Sequence, residues 1–289
     1  MINVRNLSKR YGRSLVVNDV TLELRDGGLT AIVGANGAGK STLLSMIARL
    51  LEADGGSISV GDLDVATADS RELAKRLAVL RQSNDLQSRL TVADLVGFGR
   101  YPHSGGRLTA DDRLRIDEAI AWMDLDDLRD RFLDEMSGGQ RQRAFVAMVL
   151  AQDTQYVLLD EPLNNLDVAH AHAMLQTLRR AADELGKTVV IVAHDINYAA
   201  CWADQIVAMK DGRVMAVGSP QELVRPDVLR DVFDLEIEVT QFRGRPIAHF
   251  YLPVPLCTSC HRSSRDGCCL DGAPTRPVSL TLGARSGAA

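Results

Sequence analysis

The run Leu29-Thr-Ala-Ile-Val33, continued by Gly34-Ala35-Asn36-Gly37-Ala38-Gly39-Lys40-Ser41-Thr42, decides the fold. Its apolar beginning has the length and composition of a short buried strand, and the stretch from Thr42 to Leu51 takes up helical periodicity. Between them lies the spacing G-x-x-x-x-G-K-S, whose glycines let the chain curl until successive backbone N–H groups point at one place. Such a curl at a helix N-terminus binds phosphate oxygens; Lys40 is placed to reach the β- and γ-phosphates of a nucleotide, and the Ser41 hydroxyl to bind Mg²⁺. Strand, loop and helix in this order are the opening unit of an α/β domain.

A second element matches the first. Tyr156-Val-Leu-Leu-Asp160-Glu161 is an apolar strand that ends in two carboxylates. Asp160 suits the Mg²⁺ shell beside the phosphate loop, and Glu161, one residue further, suits the polarisation of an attacking water. Thr188-Val-Val-Ile-Val-Ala193 is another buried parallel strand, and a helix is expected between them from Val168 to Leu185. Nearer the start, Ile2 to Leu7 and Leu15 to Leu24 alternate apolar with polar residues, as an antiparallel pair turning at Tyr11-Gly12 does. From about Asn84 to Leu150 the sequence becomes charged and helix-periodic, which reads as a helical insertion.

The 289 residues suit one large domain with an inserted subdomain, and no internal repeat is visible. A net charge of −5, spread along the chain, offers no basic face for nucleic acid and no polybasic run for anionic lipid. No apolar run approaches the roughly 20 residues that span a bilayer, and no signal-peptide pattern follows Met1, so a cytoplasmic protein is expected. Cys201 sits in an apolar helical stretch; Cys257, Cys260, Cys268 and Cys269 crowd the C-terminal tail, and no disulfide scaffold is expected. His170 and His172 are two positions apart on a helix and face different ways, and His103 has no partner at ligand spacing, so surface roles are expected for all three.

Met136-Ser137-Gly138-Gly139-Gln140-Arg-Gln-Arg143 ahead of an apolar helix puts a serine, glycines and amides at a second helix N-terminus, a second place for phosphate. Upstream of the Asp160-Glu161 strand, this string resembles the signature sequence of ABC transporter ATPases, with Met136 where leucine is commoner. The resemblance runs from Met1 to about Leu252. It implies an α/β fold with a P-loop NTPase core, a RecA-like parallel sheet flanked by helices, together with an antiparallel β subdomain and an inserted α-helical subdomain at about 84–150. On the same resemblance, Tyr11 looks like the aromatic that stacks on adenine, and Gln82 like the glutamine linking the Mg²⁺ site to the insertion. His194 looks like the switch histidine near the γ-phosphate, and Asn165-Leu166-Asp167 like the loop that crosses the dimer interface.

The resemblance further implies a homodimer with ATP held between Walker A of one copy and Ser137, Gly138, Gly139 and Gln140 of the other. Transmembrane permease subunits and, through them, a periplasmic or extracellular substrate-binding protein are the implied partners, at the cytoplasmic face of the membrane. Thr91-Val-Ala-Asp-Leu-Val-Gly-Phe-Gly-Arg-Tyr-Pro-His103, Glu161-Pro-Leu-Asn-Asn-Leu-Asp167 and Ala193-His-Asp-Ile-Asn-Tyr-Ala199 resemble the ATPases of iron-siderophore importers, with vitamin B12 or haem importers as the nearest alternative. Within the first of these, Gly99 to His103 reads locally as a tight turn before a loop, in a region that in this family faces the permease. Non-transport ABC ATPases usually carry two cassettes or a coiled-coil insert, and this sequence has one Walker A and neither. A chain that only binds nucleotide is disfavoured by the presence of Glu161 and His194. Pro253 to Ala289 is expected to be an unstructured extension, although Cys257-Thr-Ser-Cys260-His261 has a spacing that can chelate a metal.

Overall fold

A computed structural model describes residues 1–82, 88–164 and 166–250. The alternating N-terminal segment forms β1 (Ile2–Tyr11) and β2 (Ser14–Leu24), antiparallel, with Ile2 opposite Leu24 and Tyr11 opposite Ser14. Tyr11, expected in the turn, is the last residue of β1, and Gly12 and Arg13 make the reversal. β3 (Gly28–Val33) leads through the glycine loop into α1 (Lys40–Ile47). This helix begins earlier than its apolar periodicity suggests, because the loop runs directly into the helical ladder: the Leu43 N–H already donates to Gly39 O at 2.9 Å.

After α1 come β4 (Gly55–Val60), β5 (Leu63–Asp64), α2 (Ser70–Arg76) and β6 (Leu77–Leu80). The helical insertion then supplies α3 (Val92–Phe98), α4 (Tyr101–Ser104), α5 (Ala110–Trp122) and α6 (Gly138–Ala151). Its expected start at Asn84 lies outside the described residues. The chain returns in β7 (Tyr156–Asp160), α7 (Val168–Glu184), β8 (Thr188–Val192), α8 (Ile196–Trp202), β9 (Gln205–Lys210) and β10 (Arg213–Gly218). It continues through α9 (Pro220–Leu223), α10 (Pro226–Phe233) and the hairpin β11 (Glu238–Phe242) and β12 (Arg245–His249). The tail from Pro253, with its four cysteines, lies outside the described residues.

The central sheet has the order β10-β9-β3-β8-β7-β6, parallel from β9 to β6, with β10 antiparallel at one edge. A second sheet, β2-β1-β4-β5, is antiparallel. Successive residues of a strand face opposite ways, so each central strand feeds two cores. Ile32, Leu158, Val190 and Val207 pack with α1 and the antiparallel sheet; Ala31, Leu159, Val189 and Ile206 pack with the helices on the far side. The helical insertion is spliced between β6 and β7, which pair from Leu77–Tyr156 to Leu80–Leu159, so it leaves and re-enters the fold at one edge of the sheet. No helix of the described residues is long and apolar enough to cross a membrane.

The segment Gly99 to His103 does not form a plain turn. Tyr101–Ser104 is one turn of helix, and Arg100 ahead of it is buried, its Nε donating to Asp112 Oδ1 at 2.9 Å and its NH1 to Ala151 O at 2.9 Å. A buried guanidinium paired this way ties α4, α5 and α6 together, a role that the local Gly and Pro do not announce.

Candidate nucleotide site

Four connections converge at the carboxyl edge of the parallel strands: the glycine loop after β3, Gln82 after β6, Asp160 and Glu161 at the end of β7, and His194 after β8. Side chains brought there by separate strands meet because every parallel strand ends on the same side, the usual place for a ligand in an α/β sheet. The loop needs glycine at two close approaches. A Cβ on Gly39 (φ 95°) would sit 2.6 Å from Val16 O, and one on Gly34 (φ 150°) 2.1 Å from Met209 O. Ala35 and Ala38 close the curl through an Ala38 N–H to Ala35 O bond of 3.1 Å.

Lys40 is only 5% exposed, and its ammonium donates to Gly34 O at 2.9 Å and Ala35 O at 3.0 Å. Burial lowers its pKa, while the Glu161 and Asp160 carboxylates work against that by favouring the charge. The Ser41 hydroxyl donates to Asp160 Oδ1 at 2.8 Å. Burial raises the pKa of Asp160, and the Ser41 hydroxyl and Lys40 oppose it while Glu161 adds to it. A serine hydroxyl and a carboxylate at contact distance form a hard-oxygen pair that fits Mg²⁺, a cation that takes few protein ligands. Gln82 lines the same cleft of about 260 Å³ as Tyr11, Ser41, Thr42 and Asp160, and Tyr11 stands half-exposed at its margin.

Glu161 is 8% exposed and holds a left-handed backbone conformation (φ 54°), which turns it sharply off the end of β7. Its carboxylate is fixed from three sides. Gln82 Nε2 donates to Oε2 at 2.6 Å, Asn164 Nδ2 donates to the same oxygen, and His194 Nε2 lies 2.6 Å from Oε1. Asn36, Gly37, Gly39, Lys40, Ser41, Thr42, Glu161 and His194 line a second small cleft of about 160 Å³. The loop, the two carboxylates, Gln82, His194 and Tyr11 thus form one neighbourhood. Asn164 was not among the expected site residues; in the sequence it stands three residues after Glu161, inside the Glu161 to Asp167 stretch read only for its family resemblance.

The second expected phosphate site is built separately. Ser137 caps α6, its Oγ accepting from the Gln140 N–H at 3.3 Å while Gln140 Oε1 accepts from the Ser137 N–H at 3.1 Å, a capping box that leaves Gly138 and Gly139 in the first turn. Among the described residues that line the two clefts, none is Ser137, Gly138, Gly139 or Gln140. Asp167 caps α7 by accepting from the His170 N–H at 2.8 Å, and Asn165 lies outside the described residues. His170 pairs with Asp167, His172 meets Trp202 edge to face at 5.2 Å, and His103 Nε2 lies 2.9 Å from Gln152 O. Among the described residues no group of three or more His, Cys, Asp or Glu could hold a metal ion.

Residues 17–164, which contain the loop, the capped Ser137 helix and Glu161, match the family model described as ABC transporter. The chain belongs to the ABC transporter family. Petrobactin import ATP-binding protein YclP of Bacillus subtilis (strain 168) is 46% identical to this ABC chain over 251 residues, 87% of this chain and 100% of that protein. Petrobactin import ATP-binding protein FatE of Bacillus anthracis is 51% identical over 248 residues, 86% of this chain and 99% of that protein. Among solved structures, the dimeric structure of MJ0796, a bacterial ABC transporter cassette, superposes with a TM-score of 0.69 at 29% identity, covering 76% of this chain and 98% of that one. The α/β architecture of this ABC protein, with its antiparallel sheet and helical insertion, is that of an ABC ATPase cassette.

Proposed function

We propose that this chain is the ATP-hydrolysing subunit of an importer that carries ferric siderophores across the cytoplasmic membrane. The single observation that carries the ATPase reading is the Glu161 carboxylate, held by Gln82 and His194 at 2.6 Å each beside the Ser41–Asp160 pair and the Lys40 loop. The cargo class rests on likeness to import proteins named for petrobactin, aligned over nearly their whole length. Ferric petrobactin is therefore the first cargo to test, with vitamin B12 and haem as the alternatives.

In this reading the loop N–H groups and Lys40 take the β- and γ-phosphates, with Lys40 exchanging its loop carbonyl acceptors for phosphate oxygens. Ser41, Asp160 and Gln82 hold Mg²⁺, which when bound neutralises phosphate charge. Glu161 orients a water and accepts its proton as the water oxygen bonds to the γ-phosphorus and the bond to ADP breaks. His194, against the same carboxylate, positions it and faces the γ-phosphate, and Tyr11 stacks on the adenine. Because Ser137, Gly138, Gly139 and Gln140 stand apart from the clefts of their own chain, they complete the site of a second copy, with Asp167 at the crossing loop. The homodimer works beneath transmembrane permease subunits at the cytoplasmic face of the membrane, supplied by a periplasmic or extracellular substrate-binding protein. Nucleic acid is not a partner.

Glu161→Gln keeps the size of the side chain and removes the base. The expected outcome is ATP binding within about twofold of wild type with steady-state turnover lowered by a hundredfold or more, a loss on the scale of general-base catalysis. Turnover near that of wild type would remove Glu161 from the role of base.

A further inference from the structure

Asn164 lies outside every motif expected to do chemistry, yet its side chain ends on the carboxylate that does it. The segment from Glu161 to Asn164 is a turn closed by the Asn164 N–H to Glu161 O at 3.2 Å, and it folds the Asn164 amide back so that Nδ2 donates to Glu161 Oε2. Gln82, arriving from the far strand β6, donates to the same oxygen at 2.6 Å. Two amides therefore occupy Oε2 and leave Oε1 on the side of His194, which shares with Glu161 the cleft lined by Lys40 and Gly37. The turn itself is anchored from α6, where Gln142 Nε2 donates to Pro162 O at 3.2 Å. Leu166 and the His170 ring, just after the turn, stand against Gly139 in the first turn of that helix.

We infer that Asn164 is a positioning residue for ATP hydrolysis: its amide, with that of Gln82, holds Oε2 of Glu161 so that Oε1 is presented to the cleft where water is activated. The inference rests on the proposed role of Glu161 and adds a residue that acts through it. A carboxylate free to rotate about its last bonds offers either oxygen in many directions, and a donor pair on one oxygen removes that freedom before the substrate arrives. The Gln142 anchor ties the turn to the N-terminal end of α6, the same end that Ser137 caps.

The test is a pair of substitutions that separate donation from turn structure. Asn164→Asp keeps the shape and the turn preference but replaces the donor by a second carboxylate, whereas Asn164→Ala removes the group altogether. Steady-state ATPase of the full chain, with ATP KM and kcat determined separately and thermal melting as the control for folding, gives the reading. The positioning role predicts kcat lowered roughly tenfold or more in Asn164→Ala and further still in Asn164→Asp, with KM for ATP within about twofold in both. A purely structural role gives the opposite order, Asn164→Asp close to wild type and Asn164→Ala impaired, and that result overturns the inference. Equal kcat in all three proteins also overturns it. Glu161→Gln, assayed alongside, distinguishes the failures: if it is inactive while Asn164→Asp is normal, the base assignment stands and Asn164 falls; if it is active, both fall.

Discussion

Lys40 illustrates how much a single buried charge depends on where it is set. Its ammonium is buried and donates to the carbonyls of Gly34 and Ala35, and its pKa is lowered by that burial while the Glu161 and Asp160 carboxylates oppose the shift. A cation already stripped of water interacts with phosphate more strongly than a solvated lysine does. Lys40→Ala is expected to weaken ATP binding by about tenfold or more, as loss of a charge-assisted contact does, measured by equilibrium titration with a fluorescent nucleotide. Unchanged affinity would contradict the phosphate role. At this scale the sequence was most informative where neighbours in the chain are neighbours in space: Gly34 to Thr42 is one curl, and Asp160 and Glu161 follow one another at a strand end. Gln82 and His194 were placed through resemblance, and the structure sets both on Glu161. Asn164 was not legible, because the direction in which a turn folds its side chain leaves no periodic trace.

Elements were legible in proportion to their apolar continuity. β7 and β8 are buried along their whole length and read as unbroken apolar runs, so their positions were plain. The insertion was visible as charged helical sequence, but its internal joints were not. α4 is a single turn containing Pro102, and it is Arg100 and Asp112, distant in sequence and both buried, that fix it. The carboxyl of Asp112 is pulled down to about 2, first by the Thr109 backbone N–H and then by the Thr109 hydroxyl and the Arg100 guanidinium, against the opposing effect of burial. Because the folded-state value lies below the ordinary 3.8, this contribution to stability is fully present above about pH 4 and is lost as pH falls through 2. Asp112→Ala removes the close carboxylate partner of buried Arg100 and leaves it the Ala151 carbonyl and the more distant Asp111. A loss of about 3 kcal/mol, the low end for breaking a buried pair, is expected from chemical denaturation at neutral pH. The difference between variant and wild type should shrink as pH is lowered from 4 toward 2; a difference that stays constant would show that the charge of Asp112 is not what stabilises the insertion.

For the whole molecule, the topology sets the two proposed phosphate sites apart. The clefts at the carboxyl edge of the sheet are lined by residues from the strand ends and the glycine loop, whereas Ser137 caps a helix of the insertion. In the proposed mechanism, a second copy joins the two, and movement of the insertion relative to the sheet is what a permease would feel. In the proposed mechanism the permease carries the cargo, so no residue of this fold is assigned to reading it. The ferric-siderophore cargo is proposed from likeness to relatives named for petrobactin import. The central claim joins the Glu161 chemistry to iron entering the cell, so the most direct measurement is uptake of radiolabelled ferric petrobactin by cells lacking the gene for this chain, complemented with wild type or Glu161→Gln. The account predicts that wild type restores uptake and Glu161→Gln, present at equal level, does not. Uptake restored equally by both, or undiminished when the gene is removed from cells with no other ferric-petrobactin importer, would contradict it.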